Sequence, residues 1–110
     1  MSINPQILIA NPVTLLSAVT ATGASATFAL PTRSVYIGWQ TSYDVNPDAV
    51  NITLRVSLDG IKWTVLDTTT VVAGEFRTVG PTAARFVDVN VVTNTGGHQI
   101  TVQLIAKTAQ

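Results

Sequence analysis

The chain has 110 residues, with six basic and six acidic side chains, one His and no Cys, which suits one domain and leaves no room for a second. Zero net charge argues against a phosphate-backbone binder, whose affinity comes from neutralised phosphates, and against an anionic membrane surface. Without Cys there is no disulfide, thiolate zinc site or cysteine nucleophile, and a single His forms no metal-binding cluster.

Thr occurs 17 times and Val 15 times, whereas Glu occurs once and Lys twice. β-Branched side chains are stiff at χ1 and fit a pleated sheet better than a helix, so the chain reads as all-β. The start, Met1-Ser2-Ile3-Asn4-Pro5, lacks the basic and long apolar regions of a secretory signal. No apolar run approaches the roughly 20 residues of a membrane helix. The expectation is a soluble protein made in the cytoplasm.

In chain order, Gln6 to Ala10 reads as a short strand broken by Asn11-Pro12, and Val13 to Thr20 as a second apolar stretch. Ala21 to Ser25 is a small-residue loop, and Ala26 to Leu30 a strand stopped by Pro31. Ser34 to Thr41 alternates, with Val35, Ile37 and Trp39 on one face and Tyr36 and Gln40 on the other. Tyr43 to Asp48 is a loop centred on Pro47. The clearest strand is Val50 to Leu58: Val50, Ile52, Leu54, Val56 and Leu58 point one way, and Asn51, Thr53, Arg55 and Ser57 the other. Such alternation marks one buried and one wet face, the habit of antiparallel sheets.

Asp59-Gly60 makes a hairpin turn, and Lys62 to Thr70 returns, closed by Ala73-Gly74. Glu75 to Val79 is short and ends at Gly80-Pro81. Ala84 to Val92 sets Arg85, Val87, Val89 and Val91 on one face, with Phe86, Asp88 and Asn90 on the other. Asn94 to Gly97 is a second hairpin signal, and Gln99 to Lys107 closes the chain. Eight or nine short strands with regularly spaced turns call for a single antiparallel β-sandwich of jelly-roll type, in one domain over residues 1–110.

Val56-Ser57-Leu58-Asp59-Gly60-Ile61-Lys62-Trp63 resembles the S-x-D-G-x-x-W hairpin of discoidin-like, galactose-binding-like jelly-roll domains. Ala84-Arg85-Phe86-Val87-Asp88-Val89 is similar to the A-R-[YF]-[VI]-R-[VI] strand of the same domains, with Asp88 in place of the usual Arg. The likeness spans Ala26 to Ala106. Read physically, Ser57, Asp59, Gly60 and Trp63 are structural: Asp59 accepts turn N–H groups, Gly60 supplies the geometry, and Trp63 packs over the turn. The whole chain, without Cys, rich in Thr and Val and poor in charge, also resembles small virion proteins of tailed phages.

The chemistry-bearing residues are scattered. His98, beside Gly97, has no partner near it in sequence and reads as a solvated loop residue. The six carboxylates, Asp44, Asp48, Asp59, Asp67, Glu75 and Asp88, show no facing pair of the kind glycosidases need. Nor is there a nucleophile elbow or phosphate loop, so no catalytic residue is assigned and the chain does not read as an enzyme. Asp44, Asn46 and Asp48 alternate like oxygen ligands, but Pro47 stiffens the run and no bidentate Glu follows, so a polar turn is preferred and no metal or cofactor is expected. Trp39 and Trp63, in phase with apolar neighbours, are assigned to the core; Tyr36 and Tyr43 suit a surface role. Arg33, Arg55, Arg77 and Arg85 form no stripe and read as rim contacts or ion-pair partners of the Asp residues.

Ile3 to Leu16 carries seven large aliphatic residues and no charge. It reads either as a first pair of core strands or as an arm or edge strand that pairs with a neighbouring subunit. The function expected is structural: a virion component of a tailed phage, cementing the outside of its capsid through protein–protein contacts, as multiple copies or a homo-oligomer. The contact residues would be Ile3, Ile7, Leu8, Ile9, Tyr43 and Asn46. The alternative is a carbohydrate-binding or adhesion module at a tail or fibre, with a glycan as partner.

Overall fold

In a computed structural model that describes residues 12–109, the alternating segments are nine strands: β1 (Val13–Val19), β2 (Gly23–Ala24), β3 (Phe28–Ala29), β4 (Val35–Tyr43), β5 (Ala49–Ser57), β6 (Thr64–Thr69), β7 (Glu75–Thr82), β8 (Phe86–Thr95) and β9 (Ile100–Thr108). One sheet has the order β1-β9-β4-β7; the other runs β2-β8-β5-β6, with β3 also on β8. All pairings are antiparallel. Neighbours in space are mostly distant in sequence, and the crossing order is that of a jelly roll. The expected single sandwich is thus the observed fold. Its ninth strand arises because Gly23–Ala24, read as loop, and Phe28–Ala29 are two short pieces on one partner, β8.

Where one face is apolar, the alternation locates the core. Val35, Ile37 and Trp39 of β4, Val50, Ile52 and Leu54 of β5, Val87, Val89 and Val91 of β8, and Ile100, Val102, Leu104 and Ala106 of β9 are all buried between the sheets. A fully buried side chain of this size stabilises the fold by roughly 1.5–3 kcal/mol, before the entropy of ordering is subtracted. Leu16 of β1 and Leu30 join the same cluster. Within the segment Ile3 to Leu16, residues Val13 to Leu16 belong to the edge strand β1, paired with β9. The strand expected at Gln6 to Ala10 lies outside the described residues.

Three expectations need correction. β7 does not end at Gly80-Pro81 but continues to Thr82; as an edge strand it tolerates a residue with no N–H to donate. Leu58 leaves the inward series, because β5 stops at Ser57 and Leu58 sits in the turn, 73% exposed. Trp63 is not a core residue. It shares a face with Ile61 and Val65, as its phase requires, but that face is the outer one: Ile61 and Val65 are exposed, and Trp63 is half-buried. An irregularity in the β5–β6 pairing, between Leu54 and Arg55, then turns Asp67 and Thr69 inward opposite Leu54 and Ile52. One residue of slip is enough to exchange the faces of a strand.

Candidate assembly surfaces

The β5–β6 turn is built by two side chains. Ser57 Oγ accepts the backbone N–H of Gly60 at 2.9 Å and of Asp59 at 3.3 Å, and its hydroxyl donates to Asp59 Oδ1 at 3.0 Å. Asp59 Oδ1 in turn accepts the N–H groups of Ile61 (2.8 Å) and Lys62 (2.9 Å). The N–H of Lys62, then that of Ile61 and the Ser57 hydroxyl, hold the Asp59 carboxyl below its ordinary value. Gly60 takes φ 77°, a left-handed conformation open to Gly at little cost, and a Cβ there would lie 3.7 Å from the Phe86 ring. Leu58 and Ile61 flank the turn and are 73% and 80% exposed. Beside them is a concavity of about 310 Å³ lined by Val56, Leu58, Lys62, Thr64 and Ala84.

On the outer face of the second sheet, Arg55 and Asp88 lie opposite one another on β5 and β8. The guanidinium donates twice to the carboxylate, at 2.9 and 2.6 Å. The Asp88 side chain is 3% exposed and that of Arg55 23%. Hydrogen bonding to Asp88 raises the Arg55 pKa against the opposing effect of burial. Trp63 packs on this guanidinium, 5.3 Å from Arg55 Cζ to the ring centroid, so its partner is Arg55 rather than the turn.

A second polar group bridges the edges of the two sheets. Asp67 of β6 accepts from the Trp39 indole N–H at 3.0 Å and from Arg77 of β7 at 2.7 Å. Arg77 also donates to Glu75 at 3.3 Å, and Glu75 accepts the Thr69 hydroxyl. Burial pushes the Asp67 carboxyl up, but Arg77, the Trp39 indole and the Thr68 amide together outweigh it and hold it below its usual range. Inward charge on edge strands is a known device against edge-to-edge pairing. Here it ties β6 to β7. The two carboxylates converge on Arg77.

At the far end of the molecule, the loop after β4 leans on the β8–β9 hairpin. Asp44 Oδ1 accepts N–H groups of Val45 and Gln99, and Asp48 N–H donates to Thr95 O. Asn46 is exposed, and Tyr43 is half-buried with its hydroxyl oxygen enclosed. Burial above all, with the nearby Glu75 carboxylate adding to it, raises the Tyr43 pKa. The Asp44 carboxylate thus serves the loop, and Asp48 does so through its backbone N–H. Among the described residues no group of three or more His, Asp or Glu side chains comes together in a way that could hold a metal. His98 is half-buried, and Asn94 donates to its carbonyl oxygen at 2.8 Å.

Of the candidate contact residues, Ile3, Ile7, Leu8 and Ile9 lie outside the described residues. Tyr43 is not in the loop as expected but is the last residue of β4, paired with Ile100; Asn46 lies in the loop that follows, and both are at the end of the sandwich opposite the β5–β6 turn. Sequence reasoning missed Leu58 and Ile61 as surface residues, although an aliphatic on each side of Asp59-Gly60 is itself a signal. It also missed Phe76, 61% exposed on the outer face of β7 against Gly38 and Ile105.

No protein-family model and no curated protein matches the sequence. Among solved structures, the chain is similar to the SPBc2 prophage-derived protein YomS: TM-score 0.70 at 14% identity, covering 93% of this chain and 99% of the other. It is also similar to a protein of Bacillus endospore appendages, which form a family of disulfide-linked pili, with TM-score 0.56 at 16% identity, covering 100% of this chain and 96% of the other. At these identities the likeness is one of fold: a jelly-roll sandwich of this length and layout, shared with a prophage-derived protein.

Proposed function

We propose that this protein is a non-enzymatic structural component of a tailed-phage virion, bound to the outside of the capsid as a decoration protein. The observation that carries the reading is the structural match to a prophage-derived protein, which covers 93% of this chain and 99% of the other. Surface chemistry supports it. Of the twelve charged side chains, Arg55, Arg77, Asp67, Glu75 and Asp88 are taken up in ion pairs, which leaves an outer surface dominated by Thr, Asn, Gln and aliphatic groups. Such a surface is cheaper to desolvate against another protein than a charged one. Each copy would bury surface across neighbouring capsid subunits, and that free energy is lost only when they separate.

The uncharged N-terminal segment and residues Tyr43 to Asp48 are the assigned contacts. Deletion of Met1 to Ala10 is expected to abolish attachment to capsids and to leave the circular dichroism and melting of the domain intact. Unchanged occupancy on purified particles would overturn the assignment. A glycan-binding or adhesion role is the second reading, and Trp63, half-buried on an outer face, is the aromatic that favours it over the enclosed Tyr43. Glycan binding by a domain that never occupies capsids would decide for it.

A further inference from the structure

We propose that the β5–β6 tip is a self-docking surface, on which a second copy of this chain seats through a two-fold axis. This rests on the assembly reading and names one of its contacts. The tip places a projecting aliphatic group, Ile61, next to a hollow of about 310 Å³ whose walls include Val56, Leu58, Asp59, Lys62, Thr64 and Ala84. A two-fold axis puts each projection into the other copy's hollow, because an isologous contact uses the same patch twice.

Charge agrees with shape. Lys62 makes no ion pair among the described residues, and Asp59 makes none either, its Oδ1 being occupied by turn N–H groups. A patch with one unpaired cation and one unpaired anion is complementary to itself under a two-fold rotation, since Lys62 of each copy faces Asp59 of the other. The tip is also fixed before binding. Its hydrogen bonds through Ser57 and Asp59 hold the turn, and Phe86 supports Gly60 from beneath, so little ordering is lost on docking.

The patch involves a handful of residues, against the roughly 20–30 a side of a standard stable interface. The contact is therefore weak between free molecules and is strengthened when copies are held side by side on a particle. Sedimentation equilibrium and concentration-dependent NMR shifts of the full chain, up to about 1 mM, test it. The expected result is a weak dimer whose shifts map to Leu58, Ile61, Lys62 and Ala84. Ile61→Asp and Lys62→Glu should each weaken dimerisation at least tenfold with unchanged melting, because both side chains are exposed and neither builds the turn.

A monomer at every concentration, or a dimer indifferent to both substitutions, overturns the proposal. So does a tip variant that self-associates normally yet loses capsid binding, since the occupant is then a capsid protein. Failure of the assembly reading shows separately: the tip dimer persists, but neither the full chain nor the tip variants occupy capsids.

Discussion

Asp88 is an acidic residue on the outer face of β8, buried there by a partner from the neighbouring strand. β5 supplies the cation, and the pair Arg55–Asp88 sits directly across two neighbouring strands. Neither residue announces this in the sequence, because they are 33 positions apart and only the strand register brings them face to face. Local chemistry was easier to read: Ser57, Asp59 and Gly60 form their turn within four residues, so the motif and its geometry are one thing. Removing one member of a buried pair leaves the other charged, enclosed and unsatisfied, at a cost of about 3 kcal/mol. Arg55→Met should therefore destabilise the domain by about that much in urea unfolding. Arg55→Met combined with Asp88→Leu should recover most of the loss. A double variant no better than the single would mean that Asp88 is solvated after all, and that Trp63 lost its support for another reason.

Among the strands, legibility follows the polarity of the inner face. β4, β5, β8 and β9 alternate apolar with polar and read directly. β6 and β7 do not, because they bring Asp67, Thr69, Glu75 and Arg77 to the inside, where a pattern search expects aliphatics. Trp63 was misplaced for the same reason: its apolar companions Ile61 and Val65 are on the wet side. The inward cluster also gives the fold an acid limit. Asp67 has a folded pKa below its ordinary value of about 3.9, so below that value the unfolded chain takes up its proton first. Its stabilising contribution is thus fully present above about pH 4 and is lost as pH falls through the lower, folded value. Acid unfolding followed by tryptophan fluorescence should show this loss reporting on Trp39, whose indole donates to Asp67. In Asp67→Asn the slope of stability against pH in that range should flatten. A slope unchanged from the parent would assign the acid sensitivity elsewhere, first to Asp59.

For the whole molecule, the jelly-roll order places strands distant in sequence side by side, so loop closure precedes most of the stabilising contacts and folding falls in the slow, millisecond-to-second class. The layer that forms from β4, β5, β8 and β9 holds nearly all of the buried aliphatic side chains. Amide hydrogen exchange should accordingly be slowest in these four strands and faster in β1, β2, β3, β6 and β7, which lie at sheet edges. Equal protection of β1 and β9 would contradict that ranking. The bridge from Asp67 to Arg77 has a mechanical consequence. It binds the two sheets along the β6–β7 side like the spine of a book, whereas the fore-edge, where β1 lies, has no ion pair among the described residues, only a hydrogen bond from Asn94 of β8 to the Thr20 carbonyl just past β1. β1 pairs with β9 alone, through a ladder with two irregularities and a left-handed Ala18 at φ 54°, and adds one side chain, Leu16, to the core cluster. A load arriving through the chain at Pro12 therefore falls on the leaf farthest from the spine. Under tension that leaf tears first, and the bound volume behind it stays closed.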